Sequence, residues 1–187
     1  MARARSQDLV LFITILATVL ALGGGLAHAY ELVNKIDLPQ DAYFTVQQIY
    51  SGWNRFAFVL SVEATGMLVT IFLFRTEPAV LWPAVAAFLL LVLAQAVFWM
   101  FTFPANVATQ NWTVAPADWQ SLRAQWEYSH LAGAAFQLLA LAALVVAVLR
   151  RGRAVVRRDG IERSDAFEAG VTSRRGAGGA ELRRGRD

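Results

Sequence analysis

Apolar residues run in four long blocks along this chain, Leu9 to Ala27, Phe56 to Phe74, Ala79 to Phe103 and Leu131 to Leu149, with polar positions gathered at the block ends. A helix needs about 20 apolar residues to cross a bilayer core, so each block predicts a membrane span. The expected bounds are about 9–28, 54–74, 79–103 and 129–149. The pattern predicts an all-α fold, a four-helix transmembrane bundle with short interfacial helices in the two outer loops. Beyond Arg150 the apolar period stops. Residues 150–187 are expected to form a basic, largely disordered cytoplasmic tail after a short helical extension.

The loops carry their own signals. Pro39 ends the first helix, and Asp41 to Trp53 is amphipathic and aromatic enough for a helix lying on the membrane. Pro116 suits a first helical position, so the last helix is expected to start there, outside the membrane. At 100° per residue, Trp119, Arg123, Glu127, His130, Ala134 and Gln137 fall within about 40° of one line, a polar stripe entering the bundle. The first helix aligns Ala17, Ala21, Gly24, His28 and Glu31, a small-residue face that admits a close neighbour, with the last helix as the natural one. In the third span Gln95, Trp99, Thr102 and Asn106 share a face if Pro104 only bends the helix. Glu63 is the deepest charge of the second span. With Gln95 and Gln137 it lies on the order of 10–17 Å below the outer helix ends, where the three can meet.

Composition agrees with the pattern. Of 187 residues, 57% are apolar and 17% charged, too greasy for an ordinary soluble domain. Cysteine is absent, which excludes disulfides, thiolate metal sites and thiol redox chemistry. From Arg150 onward eleven Arg face six acidic residues, whereas everything before carries six basic and eight acidic. Arg3, Arg5 and Arg75 join the tail on one side, so both termini are expected in the cytoplasm of a multi-pass cell-membrane protein. An aromatic belt including Tyr30, Tyr43, Tyr50, Trp53 and Tyr128 marks the outer side. The Arg-rich tail reads as a topology anchor on anionic headgroups, with no nucleic-acid partner. Ala27-His28-Ala29 after an apolar run imitates a signal-peptidase site, but the run is longer than a signal core and three more spans follow. Phosphate loops and nucleophile elbows are also absent, which leaves hydrolase and nucleotide-driven classes without support.

Two mirrored signatures carry the chemistry: His28-x-x-Glu31 where the first span ends and Glu127-x-x-His130 where the last begins. Each pair puts imidazole and carboxylate on one helix face. Three readings stay open. The four can form a structural network with Arg123, Asn106 and Asn34, they can bind or deprotonate a substrate, or His28, Glu31, Glu127 and His130 can ligate iron, manganese or zinc. Di-iron bundles usually add two carboxylates, and Glu63 is too deep to supply one easily. Glu63 itself is either a neutral carboxyl bonded to Gln95 or Gln137, or a proton relay or polar end of a ligand pocket. Trp112, Trp119 and Trp126 recur every seven residues, as membrane anchors or as an aromatic wall.

Phe103-Pro104-Ala105-Asn106, then Trp119-x-x-Leu122-Arg123-x-x-Trp126-Glu127-x-x-His130 and an Ala/Leu-rich last span, resembles the anthrone-oxygenase-like family of small four-helix membrane proteins. The likeness covers roughly Leu9 to Leu149 and marks Pro104, Asn106, Trp119, Arg123, Trp126 and His130 as family-like positions. In the fungal branch the resemblance implies oxidation of a phenolic anthrone by oxygen to a quinone, without an established metal or flavin. The chain departs from the pattern after His130, where an Arg is common and Gly133 or Ala134 stands.

The leading expectation is therefore an oxidoreductase-like membrane protein binding a hydrophobic aromatic or quinone-like molecule in an outward-facing polar pocket, with no cofactor required by the sequence. His130, held by Glu127, would act as base, with Arg123 or Asn106 stabilising the anion. His28, Glu31, Glu63, Gln95, Trp99 and Trp126 complete the expected ligand contacts. The alternative is a non-enzymatic membrane subunit or scaffold, docking a membrane-protein partner or a second copy of itself.

Overall fold

The structure, a computed structural model, describes the backbone of residues 2–184 and the side chains of residues 5–154, 156, 157 and 160. Among the described residues every regular element is helical: α1 (Ala2–Lys35), α2 (Gln40–Gln47), α3 (Phe56–Leu73), α4 (Pro78–Val97), α5 (Phe103–Ala108) and α6 (Trp119–Arg184). Four stretches are long and apolar enough to cross a membrane: Arg5–Lys35, Trp53–Leu73, Pro78–Ala108 and Trp119–Ala154. The fold is thus an all-α, multi-pass helix bundle, and the spans correspond to the four apolar blocks of the sequence.

The chain divides into two units, 1–148 and 149–187. In the second, the tail expected to be irregular is helical to Arg184. No proline follows Pro116, and Arg, Ala and Glu, all good helix formers, outnumber the glycines there.

Within the first unit, small residues set the closest helix contacts. A Cβ on Gly66 of α3 would collide with Thr14 of α1, so only glycine fits that crossing. A Cβ on Gly25 would lie 3.2 Å from the Ala134 Cβ, which brings α1 against α6 as its small-residue face predicts. Gly24, a member of the predicted stripe, faces Phe56 instead. Met67, Ala87, Leu91, Ala140 and Leu144 form the central core, and Leu11, Phe74, Val80 and Ala147 form a second cluster. Large apolar side chains such as Phe12, Phe58, Phe72 and Leu138 point outward, as helices facing lipid require.

The end of the bundle that carries the two longer loops differs from the sequence expectation in three ways. α2 does not lie free on the membrane: its Tyr43 and Gln47 are buried against the bundle, where the Tyr43 hydroxyl donates to Glu127 of α6 and accepts from Gln47 Nε2. Two short 3₁₀ turns, Gln48–Tyr50 and Trp53–Arg55, replace the rest of the expected helix, with Gly52 at φ 82° supplying the left-handed turn between them. α6 begins at Trp119 rather than Pro116, whose carbonyl accepts the Trp119 N–H at 3.1 Å. In the third span a π-helical turn, Phe98–Thr102, joins α4 to α5 and lets the rod pass Pro104, so Gln95 and Asn106 stay on one element. Thr102 and Ser129 share a hydrogen bond of 2.7 Å that ties this turn to α6.

Candidate functional site

The two Glu residues of the mirrored signatures do not pair with the two His residues. Between them stands Lys35, the only lysine of the chain, at the end of α1 and 3% exposed. Its Nζ lies 3.2 Å from Glu127 Oε1 and 3.3 Å from Glu31 Oε2, and donates to the Tyr50 hydroxyl at 2.8 Å. Tyr50 in turn donates to Glu31, and Tyr43 donates to Glu127 Oε1 at 2.9 Å. Gln47 donates to Tyr43 from one turn further along α2. Burial, reinforced by the Glu127 carboxylate, pushes the Tyr43 phenol well above its ordinary range, so it acts only as a neutral donor. Lys35 Nζ also sits 4.6 Å from the Tyr50 ring centroid and 4.9 Å from that of Trp126. A lysine caged this way has partners for its three N–H donors, and it pins α1, the turn at Tyr50 and α6 together, while Tyr43 ties α2 to the same Glu127.

Beside this cage lies a cavity of about 1110 Å³, walled by α1, α3, the α4–π–α5 rod and α6. His28 and His130 both line it, their ring centroids 4.2 Å apart. His130 Nδ1 is 2.9 Å from the Trp126 carbonyl, which can only accept; in the neutral ring the proton is therefore on Nδ1 and the lone pair on Nε2. His28 Nδ1 is buried and has no hydrogen-bond partner, a costly state for a polar atom unless a ligand meets it. Trp126, Tyr50 and Trp53 surround His28 with centroids 5.0, 4.4 and 5.3 Å away.

Asn106 is fixed by two indoles of the cavity wall. Its Oδ1 accepts from the Trp126 indole at 2.8 Å and the Trp112 indole at 3.2 Å, which settles which end of the amide is oxygen. Both Nδ2 protons are then unused within the protein at a cavity wall. The indole of Trp112 reaches Asn106 because Gln110, Asn111 and Trp112 all adopt left-handed φ, 49°, 55° and 65°. Such a run of non-glycine residues is strained, and is held by Asn111 N–H on the Asn106 carbonyl (2.7 Å) and Trp112 N–H on Thr109 Oγ1 (3.1 Å).

Of the expected site residues, His28, His130, Asn106, Gln95, Trp99 and Trp126 line the cavity. Glu127, Glu31, Arg123 and Glu63 do not. Glu127 does not hold His130: Lys35 and Tyr43 take its Oε1, its Oε2 is buried without a hydrogen-bond partner, and the imidazole bonds to the Trp126 carbonyl instead. Arg123 donates to the Leu38 carbonyl at 2.8 Å and lies over the Trp119 ring, clamping the first outer loop. Glu63 meets Gln137 but not Gln95, at 3.0 Å from Gln137 Nε2, below the cavity floor to which Gln137 contributes. Among the described residues no three His, Asp or Glu converge as metal ligands, so the four-residue metal set does not form. Lys35 is the reason, since it takes both carboxylates.

No family model, no curated protein and no solved structure matches this chain.

Proposed function

We propose that this protein binds a hydrophobic aromatic or quinone-like molecule in the cavity between His28, His130, Trp126 and Asn106, and acts on it as an anthrone-oxygenase-like oxidoreductase. The observation that carries this reading is the contrast inside one cavity: aromatic walls, together with a buried His28 nitrogen, a His130 lone pair and an Asn106 amide that no protein group satisfies. His130 Nε2 takes a phenolic or benzylic proton, and Asn106 Nδ2 donates to the oxyanion that forms. Molecular oxygen is the oxidant: a methylene becomes a carbonyl with one oxygen atom, and the other leaves as water. The motif that resembles the anthrone-oxygenase-like family supports this, since Asn106, Trp126 and His130 come together through contacts of 2.8 Å and 4.0 Å. The Arg distribution supports a cell-membrane location with both termini cytoplasmic, which opens the cavity outward.

Incubating protein in liposomes with an anthrone and quinol panel under oxygen tests the reading. Product formation above that of empty liposomes, abolished by His130→Gln, is expected; rates equal to empty liposomes would overturn it. The Lys35 ammonium, with Glu31, Glu127 and Tyr50 for its three N–H donors, favours a second reading, a non-enzymatic subunit whose polar groups are structural. Recovery of a stable heteromeric complex in mild detergent, with the cavity inert to the whole panel, is its expected outcome.

A further inference from the structure

The main cavity has a neighbour in the bundle wall. A second hollow of about 390 Å³ lies between α3 and α4, lined by Leu60, Ser61 and Ala64 on one side and Phe88, Leu91 and Val92 on the other. Ala57, Leu60 and Gln95 line both hollows, so the two adjoin at this wall. The lining of the second is apolar save for Ser61 and Gln95, and it runs about two helical turns, roughly 10 Å at the α-helical rise, along α3. Ser61 and Val92 face outward at its mouth, on segments apolar enough to sit in the bilayer.

The widths of the lining side chains explain why a groove exists here. Ala57, Ser61 and Ala64 recur at helical spacing on the α3 edge, while the residues opposite on α4 are large. Three small residues in a row leave space that neighbouring lipid-facing positions, such as Phe58 and Leu68, would fill. The polar groups of the site stand at one end of this space, and none of them lies along the groove beyond Gln95.

We infer that the ligand is a two-part molecule, an aromatic or quinone-like head in the main cavity and an aliphatic tail that leaves through the α3–α4 groove into the bilayer. This deepens the proposed function and rests on it. A head of that kind needs hydrogen-bonding groups and rings; a tail needs only an apolar slot open to lipid. The shared wall of Ala57, Leu60 and Gln95 is where the two parts join. The groove also gives the ligand a route in: a membrane-dissolved molecule slides sideways from the bilayer without crossing water.

The test compares menadione, which has a head and no tail, with its decyl-bearing analogue, read by quenching of protein tryptophan fluorescence in liposomes. Wild-type protein is expected to bind both, and Ser61→Phe to weaken the decyl compound at least tenfold relative to menadione. Ala64→Leu narrows the same slot from inside and is expected to act in the same direction, whereas Leu68→Phe, lipid-facing but outside the groove, should leave the ratio at the wild-type value. An unchanged ratio in both groove variants, with both quinones still bound, would overturn the tail assignment alone and leave the groove to bilayer acyl chains. Failure of wild-type protein to bind either quinone would overturn the proposed function, and this inference with it.

Discussion

Two polar regions sit side by side at one end of this bundle, and they differ in where their unmet hydrogen-bonding atoms stand. Around Lys35, Glu31, Glu127, Tyr43 and Tyr50 the charges and hydroxyls answer one another, save for Glu127 Oε2, which is buried without a hydrogen-bond partner. Around the cavity, His28, His130 and Asn106 each keep a donor or acceptor that no protein atom meets. Residue type does not distinguish the two, since both contain groups that look catalytic in a sequence. What does is where the unmet atoms stand: Glu127 Oε2 belongs to a residue off the cavity, whereas His28, His130 and Asn106 line it, where a ligand can meet them.

The sharpest way to break this contrast is to open the Lys35 network. Lys35→Met leaves two carboxylates without their cation, one of them fully buried, and removal of one partner from a buried pair typically costs about 3–5 kcal/mol. The expected result is a large fall in thermal midpoint in detergent, partly restored by adding Glu127→Gln. Replacing Asn106 by Ala strikes the boundary between the regions: two buried indole N–H groups lose their acceptor, at about 1–3 kcal/mol, and ligand binding weakens too. By contrast, His28→Asn and His130→Gln remove groups from the cavity region. Menadione binding should fall at least tenfold in each while the melting temperature moves by only a few degrees. Equal stability losses in His130→Gln and Lys35→Met would erase the distinction.

The smallest expected effect concerns pH. Tyr43 is held neutral in the folded protein beyond its ordinary range, while in the unfolded chain it ionises near pH 10. The unfolded state then releases a proton that the folded state keeps, so stability falls as pH rises above about 10. Thermal scans across that range should show the decline in wild-type protein and a flatter profile in Tyr43→Phe.

The bundle was plain in the sequence because hydrophobic length and helix phase are local properties. The approach of α1 to α6 was legible as a small-residue face, although Gly25 rather than Gly24 meets Ala134, and of the two partners open to Glu63 the fold selects Gln137. What periodicity cannot carry is the choice among partners at one depth. His28, Glu31 and Lys35 lie on one face of α1, yet only the fold decides that Lys35 reaches across to Glu127. A signal was present: Lys35 is the chain's sole lysine, four residues after Glu31, although composition alone attaches no role to it. Tyr43 and Tyr50 read as belt aromatics, and their hydroxyls acquire a role only when α2 folds over the bundle.

The central claim is that the cavity region is a ligand site. An experimental density map of the protein with menadione in a lipid disc tests it most directly. The account predicts planar density between His28, His130 and Trp126, with a carbonyl oxygen within hydrogen-bond distance of Asn106 Nδ2. Menadione resolved elsewhere, with lipid chains filling the cavity and His28 Nδ1 still unmet, would contradict it.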